Sequence, residues 1–119
     1  MDVVHPSLDG RRFADQTGRH DGDVSGDTVF AYREADGEIW ADYAGGVIRR
    51  GSLVGSRSGN RLDFRYVHLT ADGETASGRC QTMITALPDG RLRLEETWAW
   101  ESRSGAGTST LEELPPITG

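Results

Sequence analysis

Along most of its length the chain alternates large apolar and polar side chains, which is the period of a β-strand. Five short turn signals interrupt this alternation at regular intervals: Asp36-Gly37, Gly45-Gly46, Ser58-Gly59-Asn60, Asp72-Gly73 and Asp89-Gly90. Asp-Gly and Gly-Gly supply the positive φ angles that tight hairpins need. The segments between them predict strands over residues 10–17, 28–35, 38–44, 47–57, 61–70, 74–87, 91–103 and 108–114. Residues 1–9 read as a loose lead-in, and residues 18–27 as a polar loop with room for one helical turn. Pro115-Pro116 stops the last strand, because proline cannot donate to a ladder. Successive strands on short turns predict an all-β fold: an eight-stranded antiparallel up-and-down barrel of the calycin or lipocalin type, one domain over residues 10–119. A barrel of this size holds either packed side chains or one small ligand.

The turn signals also set a register. Two-residue loops at Asp36-Gly37 and Gly45-Gly46 pair Phe30 with Tyr43, Tyr32 with Ala41, Tyr43 with Ile48 and Ala41 with Arg50. Two-residue loops at Asp72-Gly73 and Asp89-Gly90 place Arg79 opposite both Tyr66 and Trp100, and Gln81 opposite both Phe64 and Trp98. Both hairpins then send the same residues of their shared strand inward. At Ser58-Gly59-Asn60 a three-residue loop, pairing Val54 with Phe64, keeps the aromatic face continuous, whereas a two-residue loop pairs Val54 with Arg65. The inward face collects Phe30, Tyr32, Ile39, Tyr43, Ile48, Val54, Leu62, Phe64, Tyr66, Met83, Leu92, Leu94, Trp98, Trp100 and Leu111. Arg33, Asp63, Arg65, Arg93, Glu95 and Glu101 face solvent, with Asp42 opposite Arg49 as a cross-strand pair. Trp40 falls on this outer face, where it covers an exposed patch or meets a second copy in a homodimer.

In this register the interior is not purely apolar. It also presents Arg50, His68, Arg79, Gln81, Glu96 and Glu113, with hydroxyls from Tyr32, Tyr43 and Tyr66. Charges inside a barrel are costly unless paired or wetted, and polar groups converging among aromatic walls are the usual anatomy of a ligand pocket. The candidate ligand-binding set is Arg79, Glu96, Gln81, Arg50, Tyr66, Phe64, Trp98, Trp100, Tyr43 and His68. Arg79 beside Trp100 and Tyr66 suits a carboxylate or phosphate, so the expected ligand is small and amphipathic or anionic. Pairing of Arg79 or Arg50 with Glu96 or Glu113 gives the alternative, a filled barrel acting as an interaction module. His68 and Glu113 lie near strand ends and are placed at the barrel mouth.

Composition removes several classes. A formal charge of −6 argues against nucleic acid and against an anionic membrane surface. No apolar run approaches the roughly 20 residues of a membrane span, and the opening Met1-Asp2-Val3-Val4-His5-Pro6 lacks the features of a signal peptide, so a cytoplasmic location is the default expectation. The single cysteine, Cys80, excludes an internal disulfide, and it falls on the predicted outer face with no activating neighbour, so it is no candidate nucleophile. Asp21-Gly22-Asp23-Val24-Ser25-Gly26-Asp27 has the start of a calcium-loop spacing, but Tyr32 stands where the bidentate glutamate belongs, and it reads as a solvated acidic turn. Gly105-Ala106-Gly107 reads as a hairpin turn, since no helix follows it to hold a phosphate. No metal, cofactor or catalytic residue is assigned.

Three stretches carry a resemblance: Tyr43 to Gly55, the strand from Gly90 to Trp100 with its Trp-x-Trp ending, and Leu111-Glu112-Glu113. They resemble small bacterial β-barrel proteins, calycin-like in fold, that are often labelled N-acetylglutamate synthase. The resemblance implies a barrel and, through the label, an acetyltransferase-like enzyme as a further alternative; it implies no catalytic residues. The turn that holds coenzyme A in the common synthase fold has no full counterpart, since Arg19-His20-Asp21-Gly22-Asp23-Val24 departs from it at the last place. The lipocalin opening Gly-x-Trp is replaced by Gly10-Arg11-Arg12-Phe13.

Overall fold

The computed structural model describes residues 5–15 and 22–116. Eight strands form one closed antiparallel barrel: β1 (Arg12–Ala14), β2 (Val29–Ala35), β3 (Glu38–Gly45), β4 (Ile48–Ser58), β5 (Arg61–Thr70), β6 (Thr75–Ala86), β7 (Leu92–Trp100) and β8 (Ala106–Glu113). Each strand pairs with its neighbour in sequence, and β1 closes the ring on β8 through Phe13 opposite Glu113 and Ala14 opposite Glu112. The predicted fold class is the observed one. The described residues contain no helix, and so none long and apolar enough to cross a membrane. The first strand is only three residues long; Gln16, Thr17 and the polar loop as far as Asp21 lie outside the described residues.

One end of the barrel is filled. Leu8, Ile39, Leu62, Leu94 and Leu111 are buried there, and Phe13 meets Tyr32 edge to face at 5.4 Å. Leu8 belongs to the stretch read as a loose lead-in, yet it is fully buried, and its amide donates to Glu34 Oε1 at 2.9 Å. Arg57 pairs with the same glutamate oxygen at 2.6 Å and donates to the Pro6 carbonyl, which ties the chain entry across this end. Glu113 also sits here: it accepts from Arg11 Nη1 at 2.8 Å and from the Leu92 amide at 3.0 Å.

Three details of the turns change the register. The β5–β6 turn spans Ala71–Gly73, with Thr70 N bonded to Glu74 O, and the β6–β7 turn spans Pro88–Gly90, with Leu87 N bonded to Arg91 O. Both are three-residue loops whose last residue is a glycine at positive φ (Gly73 at 87°, Gly90 at 89°), the geometry of a type I turn followed by a left-handed residue. Each loop is one residue longer than expected, so β6 is turned over. Ala76, Gly78, Cys80, Thr82 and Ile84 point inward, while Arg79, Gln81 and Met83 point out. The two offsets agree with each other, which is why the sequence-based register was self-consistent and still placed β6 the wrong way round.

The third detail is an irregularity at the start of β4. Ile48 pairs with Gly45 and Thr70, but Gly51 already pairs with Tyr43, and Arg50 with Leu69. The extra residue reverses the alternation, as a β-bulge does. Ile48 is buried, Arg49 and Arg50 are both exposed, Leu53 is buried, and Val54 is 65 % exposed. The expected pairs Tyr43–Ile48, Ala41–Arg50 and Asp42–Arg49 are replaced by Tyr43–Gly51, Ala41–Leu53 and Asp42–Ser52. With Val54 outside, the β4–β5 loop is the two-residue Gly59-Asn60 form, and Val54 faces Arg65. Val54 also faces Trp40 across β3, so these two form an exposed apolar pair on the outer wall.

The β3–β4 turn depends on Gly45, whose φ of 125° disfavours other residues. A Cβ there would overlap the backbone of Asp27, which runs close beside it. Gly45→Ala is expected to lower stability by at least about 2 kcal/mol in urea denaturation, the scale of enforced backbone strain.

Candidate functional site

The opposite end of the barrel is open and holds a cavity of about 40 Å³. Its walls come from most of the strands. β5 supplies Phe64, Tyr66 and His68, and β7 supplies Glu96, Trp98 and Trp100, because alternate residues of a strand share a face. Phe30, Tyr43, Leu53, Cys80 and Ser109 complete the lining. Asp23 and Val24 from the β1–β2 loop reach over it, and Gly22 packs against the rings of Trp98 and Trp100.

Aromatic rings build the mouth. Tyr66 stacks on His68 at 6.2 Å and meets Trp100 at 5.8 Å, and Trp100 meets Trp98 at 5.3 Å. Tyr66 and Trp100 are cross-strand neighbours of Gly78, where a side chain would clash with the tyrosine ring. Deeper in, Tyr43 stacks on Phe30 at 4.6 Å, and Trp98 Nε1 donates to Ser109 Oγ at 2.9 Å.

A chain of polar bonds ties the loop to this wall. Arg103 donates to Asp23 Oδ2 at 2.8 Å and lays its guanidinium 4.0 Å from the centre of the Trp100 ring. His68 Nε2 contacts the same carboxylate oxygen at 2.9 Å, and His68 Nδ1 contacts Tyr43 Oη at 3.0 Å. A carboxylate only accepts, so Nε2 carries the proton, and in the neutral ring Nδ1 accepts from the tyrosine hydroxyl. His68 is 3 % exposed: it is an internal link of this chain, not a wetted rim residue.

At the bottom of the cavity lies Glu96. It is 7 % exposed, and its Oε2 has no hydrogen-bond partner among the described residues. Burial, and secondarily the charge of Asp15, pushes its carboxyl up to about 8. Burial likewise pushes the hydroxyls of Tyr32, Tyr43 and Tyr66 and the thiol of Cys80 well above their usual ranges, with the Glu96 charge adding in the same direction. Cys80 is therefore held as a thiol, but it lies inside the barrel and not on the outer face expected for it.

Of the candidate set, Tyr43, Phe64, Tyr66, His68, Glu96, Trp98 and Trp100 come together in this one cavity. Arg50, Arg79 and Gln81 do not: the irregularity in β4 and the three-residue turns flanking β6 put all three on the solvent face. The sequence reading missed Asp23, Cys80, Ser109 and Arg103. Cys80 and Ser109 follow once β6 and β8 are registered against Glu96 and Trp98. Asp23 lies in a loop, where no periodicity marks it, and the strand expected over 91–103 ends at Trp100, which leaves Arg103 in a loop as well. The described residues contain no group of three or more acidic, histidine or cysteine side chains placed to hold a metal; Asp21 of the acidic turn lies outside them.

This is a closed eight-stranded barrel with one packed end and one aromatic-walled open end, of the size that holds either packed side chains or one small ligand. The sequence matches the family described as Avidin-like protein over residues 6–114, and the chain belongs to that family. No curated protein and no solved structure matches it. The avidin-like match supports the calycin-type barrel expected from the resemblance; the synthase label receives no support.

The Glu96 carboxyl makes stability depend on pH. Its folded value of about 8 lies above the ordinary 4.5, so the unfolded chain gives up this proton first. The contribution is complete below the ordinary value and is lost as pH rises toward 8. Urea denaturation between those limits should show stability falling by on the order of a few kcal/mol. Glu96→Gln should remove most of that slope and raise stability at the alkaline end.

Proposed function

We propose that the protein binds one small amphipathic molecule in the open end of its barrel. The apolar part lies against Phe64, Tyr66, Trp98 and Trp100, and the polar end reaches Glu96. The observation that carries this reading is a buried carboxyl, one of whose oxygens has no hydrogen-bond partner among the described residues, on the wall of a cavity otherwise lined largely by aromatic rings. A buried polar group without a partner costs on the order of 1–3 kcal/mol, and a ligand that bonds it recovers that cost. Membership of the avidin-like family supports small-ligand binding in general. An anionic ligand loses its rationale, because Arg50 and Arg79, which motivated it, face solvent. The filled-barrel alternative also required those arginines as internal partners of Glu96 or Glu113.

Native mass spectrometry of protein purified without denaturation tests the proposal. The expected spectrum shows a stoichiometric small-molecule adduct. Cys80→Met, which projects extra bulk into the cavity, should lose the adduct while the barrel still unfolds cooperatively. Arg79→Ala should keep it. An adduct retained in the first variant and lost in the second would place the ligand on the outer wall.

A further inference from the structure

We infer that the ligand's polar end is cationic, an alkylammonium group that seats its charge between Glu96 and the aromatic wall. This rests on the reading of the cavity as the binding site and adds the chemical class of its occupant. Glu96 is more than nine-tenths buried, lines the cavity and leaves Oε2 without a hydrogen-bond partner among the described residues. An ammonium carries only donors and matches an acceptor with nothing bonded to it. None of the described lining residues is an arginine, and the chain has no lysine, so no described residue of the cavity wall offers Glu96 a permanent positive charge.

The groups that face Glu96 from other strands point the same way. Asp15 follows β1, Tyr32 lies on β2, Tyr43 on β3, Tyr66 on β5 and Cys80 on β6, and each of these is neutral or anionic. Toward the mouth, Asp23 faces His68 and Arg103. Arg103 itself shows what this wall accepts. Its guanidinium already rests on the face of Trp100 and is paired to a carboxylate, the same two partners that Glu96 and Trp98 would offer deeper in. The volume of about 40 Å³ admits a small head group, with the remainder of the molecule directed to the mouth.

Binding then moves one proton. The neutral Glu96 carboxyl gives its proton to solvent, and the carboxylate left behind pairs with the incoming ammonium, so the bound pair carries no net charge. Affinity should rise about tenfold per pH unit below the Glu96 titration near 8 and level off above it. The ligand stays charged to about pH 10, as lysine does.

The test is tryptophan fluorescence titration of the intact protein with propylammonium, propionamide and propionate between about pH 6 and 9, since an alkylammonium remains charged throughout that range. Propylammonium is expected to change the emission with that pH profile, and propionate to have no effect. Calorimetry near neutral pH, in two buffers of different ionisation enthalpy, should show close to one proton released per ligand bound. Glu96→Gln should weaken propylammonium binding by at least about tenfold at pH 8 and flatten the profile, with unchanged far-ultraviolet circular dichroism. Should that variant fail to fold, the proton release and pH profile of the unaltered protein decide alone. Binding of propionamide or propionate in preference, or of propylammonium without proton release, overturns the cationic class and leaves the cavity reading standing. No response to any of the three removes both.

Discussion

A strand in a closed barrel offers each side chain two directions, inward or outward, and wherever the strand is regular the next residue takes the other. The strand-borne walls of the open end follow from this constraint. Glu96, Trp98 and Trp100 share a cavity because they stand two apart on β7, and Phe64, Tyr66 and His68 do so on β5. The same rule means that one extra residue in a turn moves a whole strand's set of side chains from one environment to the other. The three-residue turns at Gly73 and Gly90 thereby decide that β6 shows Gly78 and Cys80 to the interior and Arg79 to water.

The small inward residues of β6 are what make room for a cavity. Gly78 lets Tyr66 and Trp100 approach across it, and Cys80 stands beside Trp98. Had Arg79 and Gln81 faced inward, their bulk and charge would have occupied the space next to Glu96 and paired with it. The observed arrangement leaves an acid among tyrosines, tryptophans and a thiol, with the charge of Asp15 reinforcing the effect of burial. The polar groups nearer the mouth are consumed among themselves, from Arg103 through Asp23 and His68 to Tyr43. Glu96 stands apart from that chain of bonds.

Strand number, strand order and the parity of β2, β5 and β7 were legible in the sequence, because long alternating runs bounded by Asp-Gly or Gly-Gly signal strands whatever the exact turn. Aromatic and acidic members of the site on β5 and β7 were found for that reason. The arginines were misplaced because Asp-Gly is compatible with a two-residue loop and with the end of a three-residue one, and alternation within β6 cannot tell them apart: its polar and small residues suit either face. Arg49-Arg50 was a signal that went unused, since two adjacent exposed charges break the alternation where the strand itself does. Asp23 was beyond reach of any periodicity, and Arg103 fell within the strand expected over 91–103, which ends at Trp100.

The ring closes through its shortest strand. β1 has three residues and joins β2 to β8, and the ion pair that fastens this seam links Arg11 to Glu113, 102 positions away. Seven of the eight neighbouring pairs are local hairpins or nearly so, whereas the last joins distant parts of the chain. Such a contact carries the largest loop-closure entropy of the molecule. During synthesis the curved sheet can assemble hairpin by hairpin behind the ribosome, but the barrel cannot shut until β8 has emerged. Until that moment β1 lacks its second neighbour, and the interior has an open side.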